Sequence, residues 1–209
     1  MNQPNIQNII FDLGGVIIDI DPQRSFQAIS NFSLGNKGHE QQLSLDTQLF
    51  INYEKGLIDN DAFREGIRKL TGNTSVKDEE IDEAWNLMLL QIPLEKLQIL
   101  EKLNNRYNTF VLSNTNAIHV NAFNQIIQKN SGKATINHYF NKVYYSHELK
   151  LRKPEPEIYQ YVIEDMKLSS GDTLFIDDRL ENIEAASASG LQTFHVQTGK
   201  GIVEFFEDI

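Results

Sequence analysis

The stretch FDLGGVIIDID, residues 11–21, decides how the rest of the chain is interpreted. A short apolar run at residues 9–11 stops at Asp12, two glycines follow, and a second apolar run begins at Val16. A carboxylate at the end of a buried strand is costly unless a partner or a cation compensates its charge. The pattern therefore predicts a strand that ends in a functional acid, followed by a tight turn without side-chain bulk.

Composition excludes several classes of function. The 209 residues carry a formal net charge of −10 and include no cysteine. A chain this acidic has no overall attraction for nucleic acid or for an anionic membrane surface, so we expect neither as a partner. Disulfides, thiolate metal sites and a cysteine nucleophile are excluded. There is no signal-peptide pattern and no apolar run near the ~18 residues of a membrane span, so we expect a cytoplasmic protein.

The order of apolar and amphipathic segments predicts the fold. Continuous apolar runs indicate strands that are buried on both faces, as in a parallel sheet. Such runs lie at residues 9–11, 110–112, 143–145, 173–176 and 192–196. Segments with helical periodicity separate most of them. We therefore predict an α/β fold with a Rossmann-like, doubly wound parallel sheet.

Residues 22 to about 92 depart from this alternation, because they show helical periodicity and no convincing strand. Spacing and capping residues predict three helices there, one carrying Leu45, Leu49 and Tyr53, one between Asp59 and Gly72, and one capped by Asp78. We interpret the segment as a small all-helical cap, residues 21–92, inserted after the first strand. The core domain is then formed by residues 1–20 and 93–209.

Polar residues cluster where the predicted strands end, which is the edge at which open parallel sheets bind ligands. They are Asp12, Ser113, Asn114, Asp177 and Asp178, with Lys153 in the loop before the strand at 173–176. Each alone is compatible with a turn, a helix cap or a solvated loop. Together, three converging acids require a cation, and carboxylate oxygens suit Mg²⁺. A lysine and a hydroxyl add donors for phosphate oxygens, so the set predicts phosphoryl transfer on a small phosphorylated metabolite.

Four short motifs occur in the order F-D-L-G-G-V, L-S-N-T, R-K-P and F-I-D-D. In this order and spacing the chain resembles the haloacid dehalogenase superfamily over nearly its whole length. The resemblance implies that Asp12 is the nucleophile and forms an aspartyl phosphate, with Lys153 beside it. It further implies phosphate binding by Ser113, Asn114 and Lys153, and Mg²⁺ binding by Asp12, Asp178 and the main-chain carbonyl of Gly14, with Asp177 in support.

The chain departs from that family at Gly14, where its phosphatases usually carry an aspartate that protonates the leaving alcohol. Three hypotheses follow. The first is an Mg²⁺-dependent phosphatase, for which a sugar 1-phosphate is an apt substrate because an anomeric hydroxyl leaves easily; the chain resembles the bacterial α-D-glucose-1-phosphate phosphatases in this motif. The second is a metal-independent 2-haloacid dehalogenase, which the acid pair Asp177-Asp178 disfavours. The third is a non-catalytic binding or regulatory protein.

Four residues are candidates to replace the missing acid, namely Asp19, Asp21, His147 and Glu148. Simpler roles compete with each of them. Pro22 follows Asp21 and suits a first helical turn, so a hinge or helix-capping role is expected for Asp19 and Asp21. His147 and Glu148 are expected in a surface loop. Arg24 is either a substrate contact across the gap between cap and core or an ordinary solvated arginine.

Overall fold

A computed structural model of the chain describes residues 6–34, 47–197, 199 and 201–207. Its centre is one parallel sheet of five strands in the order β3-β2-β1-β4-β5. The strands are β1 Asn8–Phe11, β2 Asn108–Ser113, β3 Lys142–Tyr145, β4 Thr173–Asp177 and β5 Gln192–His195. All five predicted strands are present, and the predicted parallel, doubly wound sheet is confirmed.

Ten α-helices accompany the sheet in the described ranges. Five of them lie between β1 and β2, and the first four of these form the helical insert: α1 Pro22–Ser30, α2 Gln48–Glu54, α3 Asn60–Thr71 and α4 Asp78–Asn86. The fifth, α5 Leu94–Asn104, leads into β2. The others are α6 Ala117–Ser131, α7 Ser146–Leu149, α8 Pro156–Asp165, α9 Leu180–Ala188 and α10 Ile202–Phe205. Within the ranges that the structure describes, no helix is both long and apolar enough to cross a membrane.

The central strands of the sheet are covered on both faces by apolar clusters, and successive side chains point into one cluster and then the other. Phe11 of β1 faces a cluster that includes apolar side chains of α5, α6 and α10. Its neighbour Ile10 faces the other cluster, which includes side chains of α8 and α9. This arrangement explains the continuous apolar runs of the central strands β1, β2 and β4, which are buried on both sides, whereas the edge strands β3 and β5 are partly exposed.

The helical insert has its own apolar centre. Phe50 stacks on Trp85 with ring centroids 4.8 Å apart, and Tyr53 stacks on Phe63 at 4.1 Å. These rings are buried together with apolar residues of all four insert helices. Tyr53 and Trp85 therefore serve packing within the insert. The cap after the first strand is confirmed as part of the fold, whereas its limits at residues 21 and 92 remain a prediction.

Local signals place α3 correctly and α4 one residue out of position. The Asp59 carboxylate accepts the N–H of Ala62, and Gly72 ends the helix in the left-handed conformation. The prediction that Asp78 caps α4 is wrong, because the cap is Lys77, whose N–H donates to the Glu80 carboxylate at 2.9 Å. Asp78 instead pairs with an arginine of α3. In the helix predicted from Leu45, Leu49 and Tyr53, Leu45 lies outside the described residues.

Candidate active site

Three adjacent strands bring the candidate residues to one edge of the sheet. The register of β1 with its two neighbours places Phe11 opposite Val111 of β2 and Ile176 of β4. Asp12 follows directly, and its N–H donates to the Ile176 carbonyl at 2.9 Å. Because parallel strands end together, Asp12 lies beside the ends of β2 and β4. The topology thus gathers side chains that are about a hundred residues apart in sequence.

Lys153 is the centre of the charge arrangement. Its side chain has no exposed surface, and its Nζ lies 2.9 Å from Asp12 Oδ1 and 2.7 Å from Asp177 Oδ2. Burial alone would lower the pKa of Lys153, but the two ion pairs outweigh it, and the pKa is raised. The lysine is therefore a permanent cation held against Asp12, in the position from which it could also contact a bound phosphate.

The carboxyl group of Asp12 is held in an environment that disfavours its charge. Burial is the largest cause and raises its pKa to about 7, Lys153 opposes the rise, and Asp177 and Asp178 add to it. Oxygen atoms of these three acids lie within 4.8 Å of one another. A hard divalent cation placed among them would lower the pKa of Asp12, because it favours the ionised carboxylate. The donor set, all carboxylate oxygen, is one that fits Mg²⁺.

Asp177 and Asp178 have different surroundings although they are neighbours in sequence. Asp177 is completely buried, and its oxygens accept from the Asn182 amide at 3.0 Å and from the Arg179 N–H at 2.9 Å, besides pairing with Lys153. Asp178 forms none of the ion pairs found in the described ranges, and burial followed by the charge of Asp177 raises its pKa. Asp178 is thus the acid with free capacity for a ligand, whereas Asp177 holds Lys153 in place.

Two of the predicted phosphate-binding residues, Ser113 and Asn114, lie at the end of β2. The Asn114 amide donates to the Lys153 carbonyl at 2.9 Å and accepts the Lys153 N–H at 2.9 Å. Both polar ends of that side chain are therefore engaged in fixing the main chain of Lys153. Ser113 is the last residue of β2 and is buried. The following helix is capped by Asn116, whose side chain accepts the His119 N–H.

The two glycines of the first motif play different parts. Gly15 has φ of +72°, a left-handed conformation, and a Cβ there would collide with the Asp178 carboxylate. Gly14 has no such conformation, and a Cβ built on it would lie 3.1 Å from the end of the Ile20 side chain. The space that a side chain at residue 14 would enter is therefore lined by the apolar side chain of Ile20.

Two of the four residues considered as replacements for the acid missing at Gly14 are bonded elsewhere in the structure. Asp19 pairs with Lys96 at 2.8 Å and accepts from the side chain of Gln91. Asp21 caps α1 by accepting the N–H of Gln23 at 3.1 Å, as expected. Arg24, also outside the acid cluster, pairs with Asp21. His147 and Glu148 belong to the short helix α7 rather than to a loop.

The sequence analysis did not identify two residues of the site, Asn182 and Glu54. Asn182 binds both oxygens of Asp177 from within α9, and Glu54 of α2 forms a buried ion pair with Arg152 at 2.7 Å. Asn182 follows Asp177 by five positions, and Glu54 precedes Arg152 by 98. Only the spacing of Asn182, on the first turn of the helix after the strand, offered a clue.

Comparison with known proteins agrees with this geometry. The family described as haloacid dehalogenase-like hydrolase matches residues 6–190. A D-ribitol-5-phosphate phosphatase of Bacteroides thetaiotaomicron is 33% identical over 194 residues, which is 93% of each chain. A crystal structure of a haloacid dehalogenase family enzyme from the same organism, in complex with magnesium and inorganic phosphate, superimposes with a TM-score of 0.83 at 38% identity and covers 96% of this chain and 99% of that one.

A second solved structure extends the likeness. A predicted hydrolase of the same family from Porphyromonas gingivalis has a TM-score of 0.86 at 27% identity, over 98% of this chain and 97% of that one. The family match covers most of the chain, and the curated relative matches it almost from end to end. The chain therefore belongs to the haloacid dehalogenase-like hydrolases, as its four motifs predicted.

Proposed function

We propose that the chain is an Mg²⁺-dependent phosphatase that hydrolyses the phosphate monoester of a small polyhydroxylated metabolite. One observation carries the proposal: a buried lysine bridges Asp12 and Asp177 at 2.9 and 2.7 Å, and Asp178 stands beside them with free capacity. A nucleophile, a fixed cation and a cation-binding acid are the parts that phosphoryl transfer requires. The magnesium and phosphate held by the 38% identical structure support the same assignment.

The residues that would hold Mg²⁺ are Asp12, Asp178 and the main-chain carbonyl of Gly14. The ion, when bound, supplies positive charge that offsets the repulsion between an anionic nucleophile and an anionic ester. Asp177 does not compete for it, because its oxygens are taken by Lys153, Asn182 and the Arg179 N–H.

The reaction is a double displacement at phosphorus. A carboxylate oxygen of Asp12 attacks the phosphorus, the ester P–O bond breaks, and the departing oxygen takes up a proton from solvent water, because residue 14 offers no acid. Water then attacks the aspartyl phosphate and gives up a proton to solvent, the bond between phosphorus and the Asp12 oxygen breaks, and inorganic phosphate leaves. Lys153 and Ser113 hold the phosphate oxygens, and we assign Asn114 to fixing the Lys153 main chain.

Two substrate classes are supported by different observations. The 33% identical relative is a D-ribitol-5-phosphate phosphatase, which makes an alditol phosphate the first candidate. Gly14 provides no acid for the leaving group, and Ile20 lines that place. A leaving group that needs little protonation is then favoured, which makes a sugar 1-phosphate the second candidate.

The other two hypotheses fit the site less well. A dehalogenase that works without a metal has no need of Asp178, an acid held next to Asp12 that forms no ion pair within the described residues. A binding protein without catalysis has no need of a buried lysine held on Asp12 by Asp177 and Asn182, since burying charges is costly.

The test is a kinetic panel of D-ribitol 5-phosphate, α-D-glucose 1-phosphate, D-glucose 6-phosphate and p-nitrophenyl phosphate. We expect turnover that is abolished by chelation and restored by Mg²⁺, with the highest kcat/KM for D-ribitol 5-phosphate. The Asp12→Asn protein, prepared in parallel, controls for contaminating phosphatases. A preference for glucose 1-phosphate would select the second substrate class. A folded protein inactive on the whole panel, or one indifferent to chelation, would contradict the proposal.

A further inference from the structure

Glu54 joins the helical insert to the catalytic edge through a buried charge. It is the last residue of α2, and its Oε2 lies 2.7 Å from Nε of Arg152, the residue before Lys153. The two side chains are only 9% and 10% exposed. Burial raises the pKa of Glu54, and Arg152 opposes that rise. A buried ion pair is a weak source of stability, so its place between two parts of the fold invites a positional explanation.

Arg152 transmits the position of Glu54 to the main chain of Lys153. Its Nη1 donates to the Lys153 carbonyl at 3.3 Å, the same carbonyl that accepts from Asn114. The Lys153 side chain then reaches Asp12. An uninterrupted series of contacts therefore connects the end of an insert helix with the nucleophile.

The main chain of Glu54 forms a second connection to the catalytic edge. The Glu54 carbonyl accepts the Ser146 hydroxyl at 2.6 Å, and that hydroxyl accepts the Thr115 N–H at 2.9 Å. Thr115 lies two positions after Ser113, in the loop that ends β2. The neighbouring Gly56 makes this approach possible, since a Cβ on it would collide with the His147 carbonyl. Glu54 is thus tied to both loops that are assigned to phosphate.

A neighbouring ion pair, Lys55 with Glu155, provides a control for the Glu54–Arg152 pair. Lys55 and Glu155 join the same two parts of the molecule at 2.8 Å, but their side chains are 23% and 39% exposed. Both side chains are partly exposed, and the hydrogen bonds of this pair join the two side chains to each other rather than to Lys153 or to the loop after β2. Exposed pairs contribute little, so this contact serves as a reference for what mere bridging does.

We propose that Glu54 is a positioning residue that couples docking of the helical insert to the orientation of Lys153, through Arg152 and Ser146. Removing its carboxylate charge releases the insert and the lysine together, so that Lys153 becomes accessible to solvent. Only the kinetic arm of the test rests on the proposed phosphatase function, because accessibility of Lys153 is measured without substrate.

The experiment compares Glu54→Gln with Glu155→Gln, which make the same chemical change in the buried and the exposed pair. An amine-acylating reagent is applied to the full-length chain, and peptide mass spectrometry follows the modification of Lys153, with Lys69 as internal reference. We expect modification at least about tenfold faster in Glu54→Gln and within about twofold of the parent in Glu155→Gln. On the best substrate of the panel, Glu54→Gln should lose at least about tenfold in kcat with little change in KM.

Equal labelling of Lys153 in both variants would overturn the coupling, as would a loss of kcat in Glu54→Gln without faster labelling. If Glu54→Gln fails to fold by circular dichroism, Ser146→Ala interrupts the second connection without stranding a buried charge. Labelling of Lys153 should then rise about threefold, and an unchanged rate would overturn the proposal. Faster labelling in Glu54→Gln together with no activity on any ester would support the coupling while refuting the phosphatase assignment.

Discussion

The catalytic edge of the sheet and the helical insert are both buried, but they are held together by opposite means. At the edge, charged groups are fixed by short polar contacts, with Lys153 between Asp12 and Asp177. In the insert, aromatic rings stack, with Phe50 on Trp85 at 4.8 Å. Buried charge is rare and demands particular partners, whereas apolar volume can be supplied by many sequences. The buried charges of the catalytic edge therefore indicate a function, whereas the apolar packing of the helical insert indicates only a fold.

The largest expected effect concerns the nucleophile. Asp12→Asn keeps the size of the side chain and removes the attacking carboxylate, so we expect a loss of at least about 10⁴-fold in kcat. The fold should persist, because the variant also relieves the repulsion from Asp177 and Asp178 that raises the pKa of Asp12. Steady-state kinetics and circular dichroism check both parts. Residual activity within tenfold of the parent would refute the covalent route.

The next effect compares two lysines three positions apart. Lys153→Met removes the buried cation, and we expect kcat/KM to fall about 10²- to 10³-fold, the range for loss of one strong donor to the reacting group. Lys150→Met removes an exposed lysine that donates to the Gly56 carbonyl, and we expect a change within about threefold. Kinetics on the two variants, each checked by urea unfolding, decide the matter; equal losses would place the phosphate elsewhere.

Much of the catalytic edge could be predicted from the sequence because its signals are local. An acid directly after an apolar run identifies a strand end, as at Asp12, and the adjacent acids of F-I-D-D do the same for β4. Parallel topology then brings these ends together without further information. The prediction of the family and of the sheet is confirmed for this reason.

The remaining features depend on contacts between distant segments, which a pattern search does not detect. The role of Glu54 exists only because α2 ends against Arg152, 98 positions later in the chain. The amide of Asn114, for which phosphate binding remains a prediction, bonds to the Lys153 main chain, a pairing across 39 positions. Asp78 does not cap α4, and its carboxylate pairs with an arginine of α3. At Asp78 the local capping preference was outweighed by a tertiary contact.

A third prediction concerns the place where the two regions meet. His119 of α6 stacks on Trp85 of the insert at 4.8 Å, its Nε2 donates to the Trp85 carbonyl at 3.1 Å, and its Nδ1 accepts from Asn116. Burial lowers its pKa from 6.5 to about 4. The unfolded chain therefore binds a proton between these values while the folded chain does not, so stability is full above pH 6.5 and falls as the pH falls towards 4.

The size of this effect follows from the shift. Between about pH 7.5 and about pH 5 we expect the His119 contribution to the free energy of unfolding to decrease by about 2 kcal/mol. Urea unfolding of the parent and of His119→Gln at both pH values isolates it, because other titrating groups cancel in the difference. The same pH dependence in both proteins would show that His119 is protonated as readily when folded as when unfolded.

The fourth prediction separates the two glycines of the first motif. Gly15→Ala forces a left-handed position to carry a side chain and pushes against the Asp178 carboxylate, so we expect kcat/KM to fall about 10- to 100-fold and stability to fall by about 1–3 kcal/mol. Gly14→Ala meets only the end of the Ile20 side chain at 3.1 Å, and we expect a change within about threefold. Mg²⁺ titration of activity should show weaker apparent binding in Gly15→Ala alone. Equal losses of kcat/KM and of apparent Mg²⁺ binding in the two variants would show that the two glycines do not differ in function.

The smallest expected effect comes from returning an acid to the catalytic edge. Because Gly14 has no left-handed conformation, Gly14→Asp avoids backbone strain and requires only that Ile20 move aside. A carboxyl group there could protonate a departing alcohol, which matters most for leaving groups of high pKa. We expect kcat/KM to rise a few-fold for a primary-alcohol ester and to stay level for p-nitrophenyl phosphate, so that the dependence of rate on leaving-group pKa becomes shallower. Gly14→Asn, which has nearly the same shape but no acidic proton, is the control. If both variants change the series equally, the effect is steric; if the parent already shows no dependence on leaving-group pKa, a proton donor other than residue 14 is at work in the native site.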